Sequence, residues 1–482
     1  MTDELAIPEK IQTPDRVETR IGALEFRDGF PTDDTAQRLF DHLDFLRAVE
    51  VFLQCVPAAS LEAMRSGMVE IGIDACQKLA IADDLLDSNP LFLTGNTDTV
   101  YVSGIIDLDR DGPTVVEIPP GCGPGTVNDA WFRFVIDMGR PGPDRGQGGT
   151  YLIVPTGYDG PVPDGAFVAQ SPSSTNWLIL RGMLVDGSPD TATRSMRDGV
   201  KVYPLTQIEA PPATRFVSMS KRPFNTIHAN DAGFYDEVAA VIEREPIDVI
   251  DPETRGLLAS IGIRKDTPFA PDARMRSILA DAAGVANGTA RAIAFRTRDR
   301  DAFLYPDRAW KTAFIGGDYR WLIDDGAGGR NLDARTMFFY LATVNTPAMA
   351  LEMPGVGSQY AMTEHDSTGE LLDGGRDYVL TLPANIPAQD FWSIVIYDPQ
   401  TRSELRTDQP FPSCNSQRDA LTYDDDGSIT LRFGPNPPAE RPENWIRTTA
   451  GKGWFTILRL YGPLAPWFDR SWVPGDIEPR PT

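Results

Sequence analysis

The chain has 482 residues, of which 41% are hydrophobic and 24% are charged, so it is too long for one hydrophobic core and should form two or three domains. Its 69 acidic and 45 basic residues leave a formal net charge of −24, which argues against nucleic acid and membrane surfaces as partners. The N-terminal segment lacks the basic and apolar regions of a leader peptide, and its cysteines show no paired spacing. We therefore expect a cytoplasmic protein with free thiols, and we leave open a homo-oligomer.

Residues 1–90 are predicted to form a strand followed by helices. A β-branched segment at residues 17–26 comes first, and Thr32 then offers an N-cap for a helix with apolar residues at helical spacing. Pro57 is predicted to end this helix, because proline lacks the backbone N–H that the helix needs. A second short helix is predicted to begin at Ser60.

Residues 93–120 contain a polar cluster at the entrance to a predicted hairpin. Two β-rich runs, residues 100–108 and 114–118, flank an Asp-Gly-Pro turn at 109–113, which predicts a two-strand hairpin. These side chains could cap backbone groups at the strand end, yet they supply more donors and acceptors than one strand end needs. We therefore interpret them as a candidate site. The cluster consists of Asn96, Thr97, Asp98, Thr99 and Tyr101.

The remainder of the chain predicts a mainly β fold with a helical segment. Short apolar runs separated by Gly and Pro predict an antiparallel β-sandwich over residues 91–224. Capping signals at Asp251 and Asp272 indicate a helical region over residues 225–350. Further β-rich runs over residues 351–482 predict a jelly-roll-like β-sandwich at the C-terminus.

The motifs resemble those of bacterial proteins that carry the paired domains DUF1254 and DUF1214. The DUF1254 resemblance is carried by NTDTVY at 96–101, GTYLIVP at 149–155 and Arg181-Gly182, and the DUF1214 resemblance by FWS at 391–393 and RLYGP at 459–463. Together they cover about residues 30–220 and 340–475. The resemblance implies a β-sandwich, a helical segment and a jelly-roll-like domain, and it implies no chemistry, since both domains are named for lacking an established one.

Common cofactor and nucleophile motifs are missing from the sequence. There is no GxSxG elbow, no GxxxxGK[ST] loop and no HExxH helix. The glycine-rich run at residues 121–125 contains Pro124 and is followed by no helical pattern, which makes it a loop. We expect no nucleotide cofactor and leave a divalent metal open.

Carboxylates are the remaining candidates for catalysis. Asp98 and Asp129 both border predicted strands of one sandwich and could divide general acid and base roles. His365 lies between Glu364 and Asp366, which could orient its imidazole or join it around a metal, unless the segment is a solvated loop. Arg181 could bind a substrate carboxylate or neutralise an aspartate.

Aromatic residues of the C-terminal domain complete the candidate site. Trp392 and Tyr397 are either core residues or one wall of a pocket whose other wall carries Asn96, Thr97 and Tyr101. We expect an enzyme that acts on a small organic molecule between the β domains by carboxylate-based hydrolysis or lyase chemistry. A non-catalytic protein that binds a small molecule or carbohydrate, and a structural or assembly protein, are the alternatives.

Overall fold

The structure is a computed structural model that describes residues 7–480, apart from the side chain of Asp325. It confirms a mainly β fold with a helical region. The helices are α1 (Asp33–Glu70), α2 (Asp190–Gly199), α3 (Gly233–Arg244), α4 (Pro252–Ser260), α5 (Ala273–Phe295), α6 (Leu332–Leu341), α7 (Pro347–Ala350) and α8 (Ala465–Phe468). The strands are β1 (Arg16–Thr19), β2 (Gly22–Arg27), β3 (Phe30–Pro31), β4 (Lys78–Ile81), β5 (Val100–Asp107), β6 (Thr114–Ile118), β7 (Gly125–Asp129), β8 (Phe134–Met138), β9 (Gly149–Pro155), β10 (Phe167–Ser171), β11 (Thr175–Gly182), β12 (Lys201–Pro204), β13 (Arg215–Ser218), β14 (Lys311–Thr312), β15 (Ser358–Thr363), β16 (Tyr378–Leu382), β17 (Ala388–Tyr397), β18 (Ser413–Asn415), β19 (Ile429–Gly434), β20 (Trp445–Arg447), β21 (Phe455–Pro463) and β22 (Ile477–Pro479).

The N-terminal sandwich packs a six-stranded sheet, in the order β13-β4-β5-β11-β7-β8, against a four-stranded sheet, in the order β10-β9-β6-β12. Alternate side chains of β5 and β11, such as Val102 and Leu180, meet Val116 and Tyr151 of the second sheet in one core. Most strand pairs are antiparallel, as predicted, whereas β4 with β13 and β9 with β10 run parallel.

The predicted hairpin at residues 100–118 is wrong. Strand β5 pairs with β4 and β11, and β6 pairs with β9 and β12, so the turn at 109–113 carries the chain from one sheet to the other. Both strands are buried along nearly their whole length. The crossing lets apolar side chains of both strands fill the space between the sheets, which a simple hairpin within one sheet would not do.

The C-terminal sandwich has the same construction. A five-stranded sheet, in the order β14-β15-β21-β17-β18, lies over a four-stranded sheet, in the order β20-β19-β16-β22. Its core holds Ile394 of β17, Leu458 of β21 and Leu431 of β19. The strands predicted from the β-rich runs of this region are therefore confirmed.

Helix α1 is longer than the sequence predicted. It runs for 38 residues through Pro57 and includes the segment predicted as a separate helix from Ser60, so the prediction that Pro57 ends the helix is wrong. Every residue from Cys55 to Met64 is buried, and α1 packs along α3, α5 and α6. This packing offsets the cost of about 3 kcal/mol that an internal proline imposes on a helix. The predicted cap is confirmed, since Thr32 accepts a hydrogen bond from the Thr35 N–H.

The helices and both sandwiches share one apolar core. Strand β11 directs Trp177 and Ile179 toward this core, while β21 directs Phe455 and Ile457 toward it from the other side. Side chains alternate along a strand, so Arg181 and Arg459, each two positions further on, lie on the same faces. A cavity lies where these two faces meet. No helix within residues 7–480 combines the length and the apolar character that crossing a bilayer requires.

We predict that the four cysteines react with a thiol reagent only after unfolding. Cys55, Cys76, Cys122 and Cys414 are unpaired and buried, and burial raises the pKa of the Cys55, Cys76 and Cys122 thiols to about 12. Titration with a coloured disulfide reagent should find no rapidly reacting thiol in the native protein. It should find all four in concentrated guanidinium without reductant, and a smaller number would reveal a disulfide.

Candidate functional site

The segment before β5 lies against the inner sheet of the C-terminal sandwich. Asp98 is fully buried there. Its Oδ2 accepts hydrogen bonds from Ser393 Oγ at 2.6 Å and from the Tyr461 hydroxyl at 2.9 Å, and its Oδ1 accepts one from Asn415 Nδ2 at 2.9 Å. These donors lie on β17, β18 and β21. Asp98 therefore joins the two sandwiches, and both of its oxygens are occupied.

Thr97, Asn96 and Tyr101 of the polar cluster also form hydrogen bonds here, whereas the buried Thr99 hydroxyl has no partner. The Thr97 hydroxyl bonds Ser413 Oγ at 2.7 Å, and Asn96 Oδ1 accepts the Asp98 N–H at 3.0 Å. The Asn96 amide also donates to the Tyr101 hydroxyl. Asp98 and Thr97 of the polar cluster thus use their side-chain groups in hydrogen bonds across the interface between the two sandwiches.

Arg459 and Tyr397 complete this contact from the C-terminal side. Arg459 donates to the Tyr397 hydroxyl at 2.6 Å and to the Thr94 carbonyl at 2.7 Å, and Tyr397 donates to the Gly95 carbonyl at 2.6 Å. Tyr397 was a candidate from its sequence. Arg459 was not, although an arginine inside an otherwise apolar strand was the signal that could have found it.

A cavity of about 60 Å³ lies beside this contact, between the two inner sheets and α6. Most of its wall is apolar, and its polar residues include Asn96, Tyr101, Arg181, Tyr360 and Arg459. The apolar lining includes Phe92, Ile179, Met337, Phe338, Leu341, Val344, Met349, Met362 and Ile457.

Arg181 is a charged residue of this cavity that has no ion-pair partner among the described side chains. Its side chain is buried, and its guanidinium lies 5.6 Å from the centre of the Tyr101 ring. Among the carboxylates whose side chains the structure describes, none has an oxygen within 4 Å of that guanidinium, whereas most buried charges in proteins are paired. Burial raises the pKa of Tyr101, so its hydroxyl is neutral and can donate a hydrogen bond.

Asp137 is a buried carboxyl on the other side of Arg181. The two residues line a void of about 20 Å³ next to the cavity. Burial raises the pKa of Asp137 to about 6, against the opposing effects of Thr346 and Arg181. One of its oxygens accepts from Thr346 at 2.7 Å and the other has no hydrogen-bond partner. The sequence did not indicate this residue.

Glu404 is a second buried carboxyl that the sequence missed. Neither of its oxygens has a hydrogen-bond partner, and it lies against Gly95, where an added methyl group would be 3.5 Å from Oε1. Burial raises its pKa to about 8, and the charges of Asp87 and Asp98 raise it further while Arg459 opposes them. Glu404 is therefore largely neutral at neutral pH.

Asp129 does not line the cavity, and neither does Asp98. It pairs with Asn176, at the opposite end of β11 from Arg181, about 17 Å away at the rise of an extended strand. One oxygen accepts the Trp131 and Arg133 N–H groups, and the other binds the Arg133 guanidinium at 2.5 Å. These contacts shape the turn between β7 and β8.

His365 and Trp392 also lie away from the cavity. The His365 ring is 3.1 Å from Glu364, which binds Lys311 at 2.7 Å, and His365 lies five residues beyond Tyr360, a cavity residue. Trp392 points from β17 into the core of the C-terminal sandwich. Within residues 7–480, no group of three or more His, Cys, Asp or Glu side chains is placed to hold a metal ion.

The protein has a two-sandwich fold in which both sandwiches share a core with the helices. A cavity lined by Arg181 and Arg459 lies within this fold. Family models match two segments, residues 76–204 to DUF1254 and residues 357–465 to DUF1214, each described as a protein of unknown function. The chain thus carries a DUF1254 domain followed by a DUF1214 domain, as its motifs predicted.

The fold also occurs in solved structures. The VPA0106 protein of Vibrio parahaemolyticus aligns with a TM-score of 0.57 and 18% identity over 91% of this chain and 100% of that chain. A putative uncharacterized protein of Burkholderia cenocepacia aligns with a TM-score of 0.39 and 12% identity over 92% of this chain and 96% of that one. A search of curated proteins found no match. The first of these likenesses shows the fold alone.

We predict that Asp98→Asn lowers the free energy of unfolding by roughly 1–3 kcal/mol, because a hydrogen bond to a charged group contributes on that order and the amide adds a donor where donors already converge. Thermal and urea unfolding measure the loss. Asp109→Asn, an exposed change in the turn before β6, is the control and should leave stability unchanged. An unaltered melting temperature with weakened ligand binding would instead support Asp98 as a ligand-binding carboxylate.

We predict that Glu404→Gln becomes more stable than the wild type as pH rises. The folded pKa of about 8 lies above the ordinary value of 4.5, so the unfolded chain releases this proton at lower pH and the wild-type free energy of unfolding falls as pH rises between those values. Melting temperatures from pH 5 to pH 9 should show a variant advantage that grows with pH. Glu352→Gln, an exposed change, should show no such trend, and a pH-independent difference for Glu404→Gln would contradict the raised pKa.

Proposed function

We propose that the protein binds a small organic acid in the cavity between its two sandwiches. The observation that carries this proposal is the buried guanidinium of Arg181, which faces the cavity without a carboxylate partner. Burying a charge without a partner is costly. A ligand carboxylate would supply the partner and accept paired hydrogen bonds from the guanidinium.

Tyr101 provides a second donor for the same group. Its hydroxyl already accepts a hydrogen bond from the Asn96 amide, so its own proton is available to a ligand oxygen. Arg459 differs, because Tyr397 and the Thr94 carbonyl occupy its terminal nitrogens. Arg181 and Tyr101 are thus the residues that would hold the carboxylate.

The size and walls of the cavity limit the rest of the ligand. Its volume of about 60 Å³ is less than half of the roughly 150 Å³ of an engineered cavity that binds benzene. Apolar side chains such as Ile179, Met337 and Ile457 surround the remaining space. These features favour an acid with a short hydrocarbon chain, such as propionate or butyrate.

Hydrolysis or lyase chemistry at this cavity is a second candidate. It is favoured by Glu404, a neutral carboxyl without a hydrogen-bond partner beside the cavity residue Gly95, which could act as a general acid. Asp98 is less suited, since three donors occupy its oxygens. Proton NMR of an added acid over several hours distinguishes the two, because an enzyme converts the acid and a binding protein returns it unchanged.

Free, buried thiols support the proposal that the protein works in the cytoplasm, where cysteines stay reduced. Its formal charge of −24 supports small molecules as partners over nucleic acid or anionic membranes.

We predict that calorimetry detects butyrate binding and that Arg181→Gln weakens it about tenfold or more, since a hydrogen bond to a charged group contributes roughly 1.5–3 kcal/mol. Butyramide has the same shape without the charge. It should bind to the wild type no more tightly than butyrate binds to the Arg181→Gln variant.

The matched control is Arg194→Gln, which changes an exposed arginine of α2 and should leave butyrate affinity unchanged. Equal affinity for butyrate and butyramide would contradict the proposed carboxylate site. So would a normal butyrate affinity in a folded Arg181→Gln protein.

A further inference from the structure

A second and larger cleft lies beside a different face of α6. Its volume is about 670 Å³, within the range of roughly 300–1,000 Å³ typical of ligand pockets. Helix α1, the turn after β7, the segment before α4 and the loop before α6 form its walls. None of the described residues lines both this cleft and the cavity. We call it the α6 cleft.

Arginines line the α6 cleft, and two of them lack an ion-pair partner. Arg133 binds Asp129 at 2.5 Å and Arg320 binds Asp318 at 3.1 Å. Arg330 and Arg335 form no ion pair with any side chain that the structure describes.

The two unpaired arginines act on each other. Arg330 and Arg335 both line the cleft, and the charge of Arg330 adds to the effect of burial in lowering the pKa of Arg335. The Nε of Arg335 is buried and donates no hydrogen bond. An anion held between them would relieve the repulsion and accept their hydrogen bonds. In a chain whose net charge is −24, such a local concentration of positive charge is unexpected.

Carboxylates also line the cleft, on the side toward α4. Asp251 caps that helix by accepting from the Thr254 N–H and hydroxyl, at 2.9 Å and 2.6 Å. Asp248 lies three residues before it. Neither is within ion-pair distance of an arginine in the described part of the chain, so the arginine side of the cleft stays open to a ligand.

Aromatic rings form another part of the wall. Phe134 and Tyr319 make an edge contact with their centres 5.8 Å apart, and the Arg133 guanidinium lies 5.9 Å from the Trp131 ring. Trp321 is 3% exposed, and its indole N–H has no acceptor. Flat aromatic surfaces beside cationic groups are suited to a ligand that has both a ring and a negative charge.

We propose that the α6 cleft binds a small aromatic anion whose ring lies against the aromatic wall and whose carboxylate or phosphate oxygens accept hydrogen bonds from Arg330 and Arg335. This site is separate from the cavity assigned to short-chain acids. The larger volume admits a ring that the cavity cannot hold, and the two unpaired guanidinium groups admit a group of higher charge.

Calorimetry with defined probes tests both parts of the proposal. Four probes are compared. Two are aromatic anions, 2-naphthoate with a carboxylate and 2-naphthyl phosphate with a phosphate. The two controls are 2-naphthamide, which has the ring without the charge, and inorganic phosphate, which has the charge without a ring. At least one aromatic anion should bind at least about tenfold more tightly than both controls, because a hydrogen bond to a charged group contributes enough binding free energy for such a difference. The tighter of the two aromatic anions identifies the acidic group. Equal binding by 2-naphthamide, or by inorganic phosphate, would overturn the proposal.

Variants locate the binding in the α6 cleft. Arg330→Gln changes an exposed residue and should fold normally, and Arg335→Gln changes a more buried one. Each should weaken binding of the aromatic anion about fivefold or more, because each removes a charged donor. Arg298→Gln is the matched control, since this exposed arginine lies outside the cleft and is paired with Asp333, and it should keep the wild-type affinity.

Arg181→Gln separates this site from the cavity, because it should impair butyrate binding and leave binding of the aromatic anion intact. Loss of aromatic-anion binding in Arg181→Gln, or unchanged binding in Arg330→Gln, would place the anion elsewhere and overturn the assignment.

Discussion

Asp98 is a buried carboxylate whose hydrogen bonds cross from one sandwich to the other. A carboxylate without access to water needs donors, and all three side-chain donors of Asp98 belong to the C-terminal sheet. Arg459 of the C-terminal sheet also donates a hydrogen bond to the Thr94 carbonyl of the N-terminal segment. Separating the two sandwiches would leave these groups unsatisfied, so this contact holds the two inner sheets in one relative orientation.

The cavity is a consequence of that orientation. Strands β11 and β21 each place an arginine on the inner face of a sheet, and α6 closes the space between them. Arg459 bonds to groups of the protein itself, whereas Arg181 lies beside the Tyr101 ring and pairs with no described carboxylate. One arginine therefore maintains the interface, and the other is left for a ligand. In the α6 cleft the same distinction separates Arg320, which is paired, from Arg330 and Arg335, which are not.

The α1 prediction shows where local rules fail. The cap at Thr32 follows from a hydrogen bond between near neighbours in sequence, and it forms as predicted. The prediction that Pro57 ends the helix also came from a local rule, yet the helix continues because α3, α5 and α6 pack around it. The turn at residues 109–113 was likewise recognised, but whether it closes a hairpin or crosses between sheets depended on strands distant in sequence.

By itself, the sequence determined the helix starts at Thr32, Asp251 and Asp272, most strands, and the importance of the polar cluster at residues 96–101. These features depend on residues a few positions apart, so periodicity and capping chemistry reveal them. Only the tertiary structure decided that Asp98 binds the C-terminal sheet, that Asp129 and His365 lie elsewhere, and that Glu404 has no partner. The reason is physical: the donors around Asp98, such as Tyr461, and the Gly95 backbone beside Glu404 lie hundreds of positions away in the chain.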